Sequence, residues 1–388
     1  MSLPTRSILM TPGPSEVHPE VLAALSRSQL VHYGNEWGQF YKDTCLSLRD
    51  LFGTNEQPLM LYGSGSLVME MGIANTLKPG DHAINVVTGY FGRRWEEVMS
   101  LRGIHAHNVT ADLGQKVSVE AVDKAFKEHK NAKALVAVHI DTSSGVLSPV
   151  DEYAEVARKH GALVVLDTIS SFGGMPIRMD KWGIDFCAGY PSKCLSSISG
   201  ITPYAVSKHL WEKLDSEEPQ AGWYLSLKVI RKFIEDWGSW GHSYPTTIPI
   251  QAVVALREAV RVIEREGSEK YYERQHRAAQ AVREAAEAMG LKLVAKGDVA
   301  APVVTPIMIG DGLEKKVQTS LLERYKIEVG GGLIAPMIRI GTMGRSAYPQ
   351  FVLATVSALE VTLRKLGRSI QPGVGLTAVQ KHLDEIQE

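Results

Sequence analysis

Two side chains that could do chemistry together follow two neighbouring apolar runs of the sequence. Asp167 closes the run LVVLD, and Lys193 follows the run IDFCAGY by a few residues. Each run has the length and the content of β-branched or aromatic residues typical of a buried parallel strand. An acid at the end of one strand and a lysine in the loop after the next would meet at the carboxyl edge of a sheet, where open α/β sheets bind ligands.

A lysine among the small and apolar neighbours of Lys193 is expected to be partly desolvated. Desolvation lowers the pKa of the amine, so more of it is neutral and able to attack an aldehyde. A carboxylate fixed opposite, such as Asp167, is the partner that a protonated pyridine nitrogen needs. The pair therefore predicts a site for pyridoxal 5'-phosphate (PLP), with Lys193 as its Schiff-base lysine. The alternative is that Asp167 caps the next helix and Lys193 is a solvated lysine.

A glycine-rich turn lies between a predicted strand and an apolar helix in PLMLYGSGSLVMEMGIANTL. Such a turn presents backbone N–H groups at the start of a helix, so Ser64, Gly65 and Ser66 are candidates for binding a phosphate. A dinucleotide-binding fingerprint is excluded because Val68 stands where its third glycine belongs. The turn could also serve only the close packing of the helix.

Other strand ends that face the same edge carry further candidates. Phe91 lies in the turn GYFGRRW, where its ring could stack on a flat heteroaromatic group or belong to the core. The loop DTSSG, which begins at Asp141, offers hydroxyl groups for a ring substituent or for helix capping. His139, at the end of the preceding strand, is interpreted as a core histidine.

Arg339 stands in the middle of a short apolar strand, MIRIGTMG. A buried arginine needs a partner, and a carboxylate that accepts two parallel hydrogen bonds is the natural one. The sequence shows no evident partner. Two explanations stay open: Arg339 binds the carboxylate of a substrate, or it forms a structural ion pair at a domain junction.

The composition is that of an ordinary globular protein. Of 388 residues, 44% are hydrophobic and 22% are charged, and the net charge is −1 without any long basic or acidic run. Nucleic acid and anionic membranes are therefore not expected as partners. The first residues lack the pattern of a signal peptide, and no apolar run has membrane-spanning length, so we expect a cytoplasmic protein.

The chain is longer than a single hydrophobic core usually allows, which predicts more than one domain. We expect an N-terminal arm at 1–20 with Ser15 as a helix N-cap, a large domain at 21–262 and a small α/β domain at 263–388. The segment WGSWGHSYPTT is too apolar for a free surface loop and is predicted to be covered by a second subunit. Three cysteines without C-x-x-C spacing indicate neither a disulfide framework nor a metal site.

Eight motifs follow one another along the chain: TPGPSEV, YGSGSLVMEMGIANTLKPGD, GYFGRRW, DTSSGVLSPVD, VVLDTISSFGG, GYPSKCL, YPTTIP and MIRIGTMG. In this order they resemble the class V PLP-dependent aminotransferases, most closely the branch of alanine–glyoxylate, serine–glyoxylate and serine–pyruvate aminotransferases. The resemblance implies an α/β protein of PLP-dependent fold type I. Its large domain has a mostly parallel seven-stranded sheet, a small α/β domain follows at the C-terminus, and a homodimer shares its active sites.

The resemblance also implies roles for single residues. Lys193 matches the Schiff-base lysine, Asp167 the partner of the pyridine nitrogen, and Arg339 the arginine that binds the substrate carboxylate. The other matches are with cofactor-binding positions: the phosphate turn (Ser64, Gly65, Ser66), the ring-stacking aromatic (Phe91), a hydroxyl near the ring oxygen (Thr142), an apolar residue under the ring (Ile169), a phosphate contact (Ser192), and a pair reaching the phosphate from the other subunit (Tyr244, Thr247).

The activity implied is transamination from alanine, serine or a related small amine to glyoxylate or pyruvate. Two segments depart from the family pattern: HYGNEW replaces a His-Arg loop, and SSISGITP replaces a Pro-Pro-Gly turn. Because both border the substrate pocket of the family, Asn35, Glu36 and Trp37 are candidates for contacting a different amino donor. The segments PSKCL and SSFGGM are also similar to pyridoxamine–pyruvate aminotransferase, and ureidoglycine–glyoxylate aminotransferase is another branch with an altered entry loop, so both activities stay open.

Two other functions are compatible with the sequence. A PLP-dependent lyase or desulfurase would need a mobile nucleophilic cysteine, whereas Cys194 follows the lysine directly and Cys45 lies in a predicted helix. A binding protein of the same fold without catalysis would not need the complete set of lysine, aspartate and arginine.

Overall fold

The computed structural model describes residues 7–216 and 221–383. Its strands, in chain order, are β1 (Ile8–Met10), β2 (Leu59–Tyr62), β3 (His82–Val87), β4 (His105–Thr110), β5 (Ala132–Val138), β6 (Ile140–Asp141), β7 (Val146–Leu147), β8 (Leu163–Asp167), β9 (Phe186–Ala188), β10 (Ile201–Val206), β11 (Lys292–Leu293), β12 (Val304–Met308), β13 (Ile327–Gly331) and β14 (Ile338–Gly341).

Helices pack against both sheets. In chain order they are α1 (Pro19–Leu25), α2 (Asn35–Leu46), α3 (Arg49–Phe52), α4 (Gly65–Thr76), α5 (Tyr90–Leu101), α6 (Val119–Glu128), α7 (Val150–Lys159), α8 (Met179–Trp182), α9 (Lys208–Ser216), α10 (Gly222–Leu225), α11 (Leu227–Trp237), α12 (Ile250–Glu266), α13 (Ser268–Ala288), α14 (Glu314–Tyr325), α15 (Pro349–Lys365) and α16 (Val374–Leu383). None of these helices has the length and apolar character that crossing a bilayer requires.

The larger sheet has seven strands in the order β2-β10-β9-β8-β5-β3-β4. Strand β10 runs antiparallel to both of its neighbours, and the other pairings are parallel. All five residues of β8 are buried, as expected for a strand that is covered on both faces. The predicted mostly parallel seven-stranded sheet is therefore confirmed.

The loops that follow β2, β3, β5, β8 and β9 all leave the sheet at its carboxyl edge, because these strands run in one direction. Each of these loops carries at least one residue predicted from the sequence to belong to the site. The register aligns Asp167 of β8 with Val138 of β5 and Ala188 of β9, so the carboxylate lies in the middle of that edge.

The smaller sheet has five strands in the order β1-β13-β14-β12-β11. Its first strand comes from the N-terminal arm, since β1 pairs in parallel with β13. The second-largest hydrophobic core contains Met10 together with buried residues from Ala278 to Val379. The arm therefore contributes both a strand and a core side chain to the C-terminal part of the chain.

The predicted boundary at 262/263 falls inside α12, which continues to Glu266 and ends at Gly267. Gly267 has a φ of +86°, a backbone conformation that glycine adopts without strain. The division into 1–20, 21–262 and 263–388 stays a prediction.

The prediction that Ser15 caps a helix is wrong. The first helix begins at Pro19, with His18 in the N-cap position. The hydroxyl of Ser15 instead donates to the carbonyl oxygen of Lys193 at 2.7 Å, and the backbone N–H of Ser15 donates to the carbonyl oxygen of Ser192 at 3.0 Å. The arm thus stays extended here because its polar groups are satisfied by the loop that carries the lysine.

Candidate active site

A cavity of about 180 Å³ opens at the carboxyl edge of the larger sheet. Residues from four strand ends line it, together with the loop after β9. Seven of the residues predicted from the sequence are among them: Ser64, Gly65, Ser66, Phe91, Asp167, Ile169 and Lys193.

The glycine-rich turn forms the N-terminus of α4. Ser64 is its N-cap, and the Ser64 hydroxyl accepts the backbone N–H of Leu67 at 3.3 Å. The first residues of a helix have no backbone partner within it, so the N–H groups of Gly65 and Ser66 are available to an anion. A Cβ at position 65 would lie 2.6 Å from Cδ1 of Ile169, so glycine keeps this wall of the cavity open.

Phe91 lies in the first turn of α5, and a carboxylate from another strand fixes that turn. Oδ2 of Asp141 accepts the backbone N–H groups of Phe91 at 3.0 Å and Gly92 at 3.3 Å. The Ser143 hydroxyl accepts the N–H of Tyr90 at 2.7 Å and donates to Asp141 at 2.6 Å. Burial raises the pKa of Asp141, and these hydrogen bonds oppose that shift.

Asp167 is almost fully buried at the end of β8, with 4% of its surface exposed. Its Oδ1 accepts the backbone N–H of Ile169 at 2.9 Å. Burial raises the pKa of this carboxyl to about 7, and the negative charge of Asp141 adds to the shift. Within residues 7–216 and 221–383, no basic side chain forms an ion pair with Asp167. The Trp95 side chain and the charge of Lys193 oppose the rise in pKa only in part, so a cationic partner would stabilise the carboxylate further.

Lys193 faces the cavity from the loop after β9. Its Nζ donates to the carbonyl oxygen of Pro12 at 2.6 Å, so the N-terminal arm lies directly on the amine. Burial lowers the pKa of Lys193 to about 8. Gly13 has a φ of +109°, which favours glycine, and a Cβ there would overlap the end of the Lys193 side chain, so the amine would have to move.

Arg339 of β14 is 8% exposed and is held by two backbone carbonyls. Its Nε donates to Gly331 at 2.7 Å and its Nη1 donates to Thr142 at 3.1 Å. No carboxylate in the described part of the chain forms an ion pair with it, although Asp141 is near enough to raise the pKa that burial lowers. The alternative of a structural ion pair is therefore not supported, and Nη2 remains available for an anion.

Five predicted residues do not line this cavity: Arg339 and four others that are buried or lie elsewhere. Thr142 is buried, and the carbonyl of Ser192 accepts two hydrogen bonds from the arm. Tyr244 is buried, and its hydroxyl accepts the backbone N–H of Tyr62 at 3.1 Å. Thr247 is exposed.

The HYGNEW residues also lie away from the cavity of their own chain. Asn35 and Glu36 are exposed in the first turn of α2, whereas Trp37 is 3% exposed and packs against Phe40 and Tyr41. Trp37 therefore belongs to the hydrophobic core of its own chain.

The cysteines are not placed for nucleophilic chemistry. Cys45, Cys187 and Cys194 are all buried, and burial raises the pKa of each thiol, to about 12 for Cys187. The Cys194 thiol is fixed by a hydrogen bond to the carbonyl oxygen of Ser170 at 3.3 Å. These contacts disfavour the sulfur-transfer alternative, which requires a mobile thiolate.

His139 is a core residue, as interpreted from the sequence. Its Nδ1 lies 2.9 Å from the Ser171 hydroxyl, and its ring packs edge-on against Trp182. Burial lowers its pKa to about 4, so the imidazole is neutral near pH 7.

Sequence reasoning gave no role to two charged residues: Arg94, which lines the cavity, and Asp141, which caps α5. Arg94 lines the cavity and donates from Nη1 to the Ser66 hydroxyl at 3.0 Å. Its spacing from Phe91 was the available signal, because residues three apart on a helix share a face. Asp141 was visible only as the first residue of a polar turn, and nothing local shows that it caps α5.

The cavity fits a flat aromatic aldehyde that carries a phosphate, such as PLP. Asp167 is a buried acceptor in need of a ring N–H, and Lys193 is an amine with a lowered pKa. The start of α4 supplies N–H groups for the phosphate, and a side chain at Gly65 would fill the space beside Ile169 and Tyr190. The donor set therefore matches both ends of that cofactor.

Comparison with known proteins gives a consistent result. The family model for class-V aminotransferases matches residues 13–347. An uncharacterized aminotransferase of Methanocaldococcus jannaschii is 33% identical over 370 residues, covering 94% of this chain and 95% of that protein. The solved structure of ureidoglycine–glyoxylate aminotransferase from Bacillus subtilis has a TM-score of 0.91 at 28% identity, covering 99% of this chain and 100% of its own. An alanine–glyoxylate aminotransferase from Nostoc sp. has a TM-score of 0.88 at 33% identity, covering 94% of this chain and 97% of its own.

Proposed function

Since this chain belongs to the class V aminotransferases, which are PLP-dependent enzymes, we propose that it transfers an amino group from a small amine to a 2-oxo acid. Alanine, serine or a related amine is the donor, and glyoxylate or pyruvate is the acceptor. One observation carries the proposal: a lysine of lowered pKa and an aspartate of raised pKa share one buried cavity. Such opposed shifts are typical of catalytic sites.

Side chains that line the cavity support most of the proposed cofactor-binding roles, whereas the roles of Ser192 and Thr142, which do not line it, are proposed from the family resemblance alone. Lys193 would bond covalently to the aldehyde carbon, and Asp167 would keep the ring nitrogen protonated. The turn of Ser64, Gly65 and Ser66 binds the phosphate, with Ser192 beside it. Phe91, Ile169 and Thr142 form the surroundings of the ring. When bound, PLP supplies an electron sink for the electrons released at the α-carbon of the donor.

Lys193 also moves the proton. As a free amine, Lys193 would accept the proton from the α-carbon of the donor. The lowered pKa of about 8 supports this role, because a substantial fraction of the amine is neutral near pH 8. Burial of Asp167 makes its charge effective on the ring nitrogen, since little water competes with it.

Arg339 binds the carboxylate of the donor and of the acceptor. Its two carbonyl partners fix the guanidinium without neutralising it. A substrate carboxylate would supply the missing negative charge in a bidentate geometry.

We also propose a homodimer with shared sites, in which Tyr244 and Thr247 reach the phosphate of the partner. An aromatic patch supports this assembly: Tyr33, Trp237 and Trp240 are exposed, and the half-buried ring of His242 lies among them. Trp240 is 73% exposed and Trp237 is 50% exposed, which is unusual for a surface in contact with water alone. Asn35 and Glu36 are exposed close to this patch and are proposed to contact the donor in the partner's cavity.

Mixed dimers test the sharing of sites. Lys193→Ala and Thr247→Ala chains are each weakened as homodimers, but their hybrid contains one site with Lys193 from one chain and Thr247 from the other. We expect PLP affinity and activity to rise on mixing. No recovery in a verified hybrid would contradict the shared site.

The donor is identified by following each half-reaction separately. The purified holoenzyme is mixed with single amines, including alanine, serine, glycine derivatives and pyridoxamine, and the absorbance of the bound cofactor is recorded. A true donor converts the spectrum, and glyoxylate or pyruvate restores it. Release of sulfide or ammonia without an acceptor would instead support a lyase, and a protein that stays colourless with PLP would refute the proposed function.

A further inference from the structure

We propose that Arg94 binds the phosphate group of PLP and is the main cationic partner of that group within its own chain. This inference rests on the proposed function, because it assigns a residue to the cofactor. Arg94 lines the cavity, and its Nη1 donates to the hydroxyl of Ser66 at 3.0 Å. Ser66 is part of the turn at the N-terminus of α4, where an anion is expected.

The guanidinium of Arg94 is fixed in place without being neutralised. Its carbon atom lies 4.9 Å from the ring centre of Phe91 and 5.1 Å from that of Tyr90, so two aromatic rings flank it. No acidic side chain of the described residues forms an ion pair with it. An arginine stays charged at any physiological pH, so the cavity wall carries an uncompensated positive charge.

A phosphate is the anion that suits this position. Because Ser66 accepts from Arg94, its hydroxyl hydrogen is left to donate to the same anion that the arginine contacts. Arg94 and Lys193 are the two cationic side chains that line the cavity in the described part of the chain. Lys193 would form the covalent bond to the aldehyde and so is not available to the phosphate. Arg94 is then the side chain that balances the negative charge of the phosphate.

The test compares two ligands that differ only in the phosphate. Apoenzyme is titrated with PLP and with pyridoxal, for the wild type, Arg94→Gln and Arg93→Gln. Arg93 is the adjacent, exposed arginine and serves as the matched control. We expect Arg94→Gln to weaken PLP about 10- to 100-fold, the loss of one charge-assisted contact, while pyridoxal changes less than about threefold. Arg93→Gln should change neither ligand.

Two further measurements separate a loss of phosphate binding from poor folding of Arg94→Gln. Arg94→Lys keeps the charge and should retain most of the PLP affinity, and ³¹P resonance of bound PLP should show a higher phosphate pKa in Arg94→Gln than in the wild type. Equal losses for PLP and pyridoxal, or unchanged PLP affinity with a raised KM for the acceptor, would overturn the assignment to phosphate. Failure of the wild type to bind PLP at all would refute the proposed function, and this inference with it.

Discussion

The carboxylate of Asp141 accepts the backbone N–H of Phe91 at 3.0 Å, although the two residues are 50 positions apart. This contact ties the end of one loop to the first turn of α5, where Phe91 and Arg94 both face the cavity. A buried carboxylate on the exposed N–H groups of a helix is a favourable arrangement, because it satisfies donors that the helix cannot satisfy itself. The position of two cavity residues therefore depends on one aspartate that has no contact with the cavity.

Replacing Asp141 by alanine should loosen this end of α5. Three backbone N–H groups and the Ser143 hydroxyl would lose their acceptor, at a cost of about 2–4 kcal/mol of unfolding free energy. Asp141→Asn keeps one acceptor oxygen and should therefore lose less unfolding free energy than Asp141→Ala. Urea unfolding of the apoenzyme measures the difference, and PLP titration should show weaker binding in the same order. Equal stability of wild type and Asp141→Ala would contradict the capping role.

The rate at which the apoenzyme takes up PLP should rise with pH. Only the neutral amine of Lys193 attacks the aldehyde, and burial lowers the pKa of this amine to about 8. The rate should therefore increase through pH 8 and level off about one unit above it. Stopped-flow absorbance gives the profile. A rate that keeps rising toward pH 10, as for a solvated lysine, would show that Lys193 is not desolvated.

A side chain at position 13 should block the amine. Gly13→Ala places a methyl group on Nζ of Lys193 in a backbone conformation that alanine rarely adopts. Gly80→Ala is the matched control, because Gly80 also has a positive φ, of +85°, but nothing lies within 4 Å of the added carbon. We expect Gly13→Ala to lower PLP incorporation at least about tenfold, measured by bound absorbance, and Gly80→Ala to keep it. Similar incorporation in both variants would exclude the proposed contact.

Removing the charge of Asp167 should stabilise the apoenzyme and impair the enzyme. The carboxyl has a pKa of about 7 in the folded protein and 3.8 in an unfolded chain. Between these values only the unfolded chain ionises, so the folded state becomes less stable as the pH rises from about 4 to 7. Asp167→Asn avoids this loss and should have a higher unfolding free energy than the wild type above pH 7, by up to about 4 kcal/mol, with the difference vanishing toward pH 4. PLP should then stabilise the wild type more than the variant. A destabilised variant at pH 8 would contradict the raised pKa.

The predictable part of the site consists of residues whose role is visible within a short stretch. Asp167 ends an apolar run that could only be a buried strand, and Ser64 to Ser66 form a turn between a strand and a helix. Lys193 follows a second such run. Strand direction alone then brings these groups to one edge, because parallel strands end on the same side of their sheet.

The remaining features depend on contacts between distant segments. Ser15 resembles an N-cap in the sequence, but its hydroxyl bonds to the lysine loop 178 residues away. The contact of Pro12 with Nζ of Lys193 and the capping of α5 by Asp141 are likewise invisible locally. The partner of Arg339 also lies outside any local pattern, since backbone carbonyls of Gly331 and Thr142 hold it.

Borohydride reduction of the PLP-treated protein, followed by mass spectrometry of its peptides, tests the central assignment most directly. Reduction converts the bond between the lysine and the cofactor aldehyde into a stable secondary amine. We predict one adduct, on Lys193, which Asp167→Asn weakens and Lys193→Ala abolishes. An adduct on any other lysine, or none at all, would contradict the account.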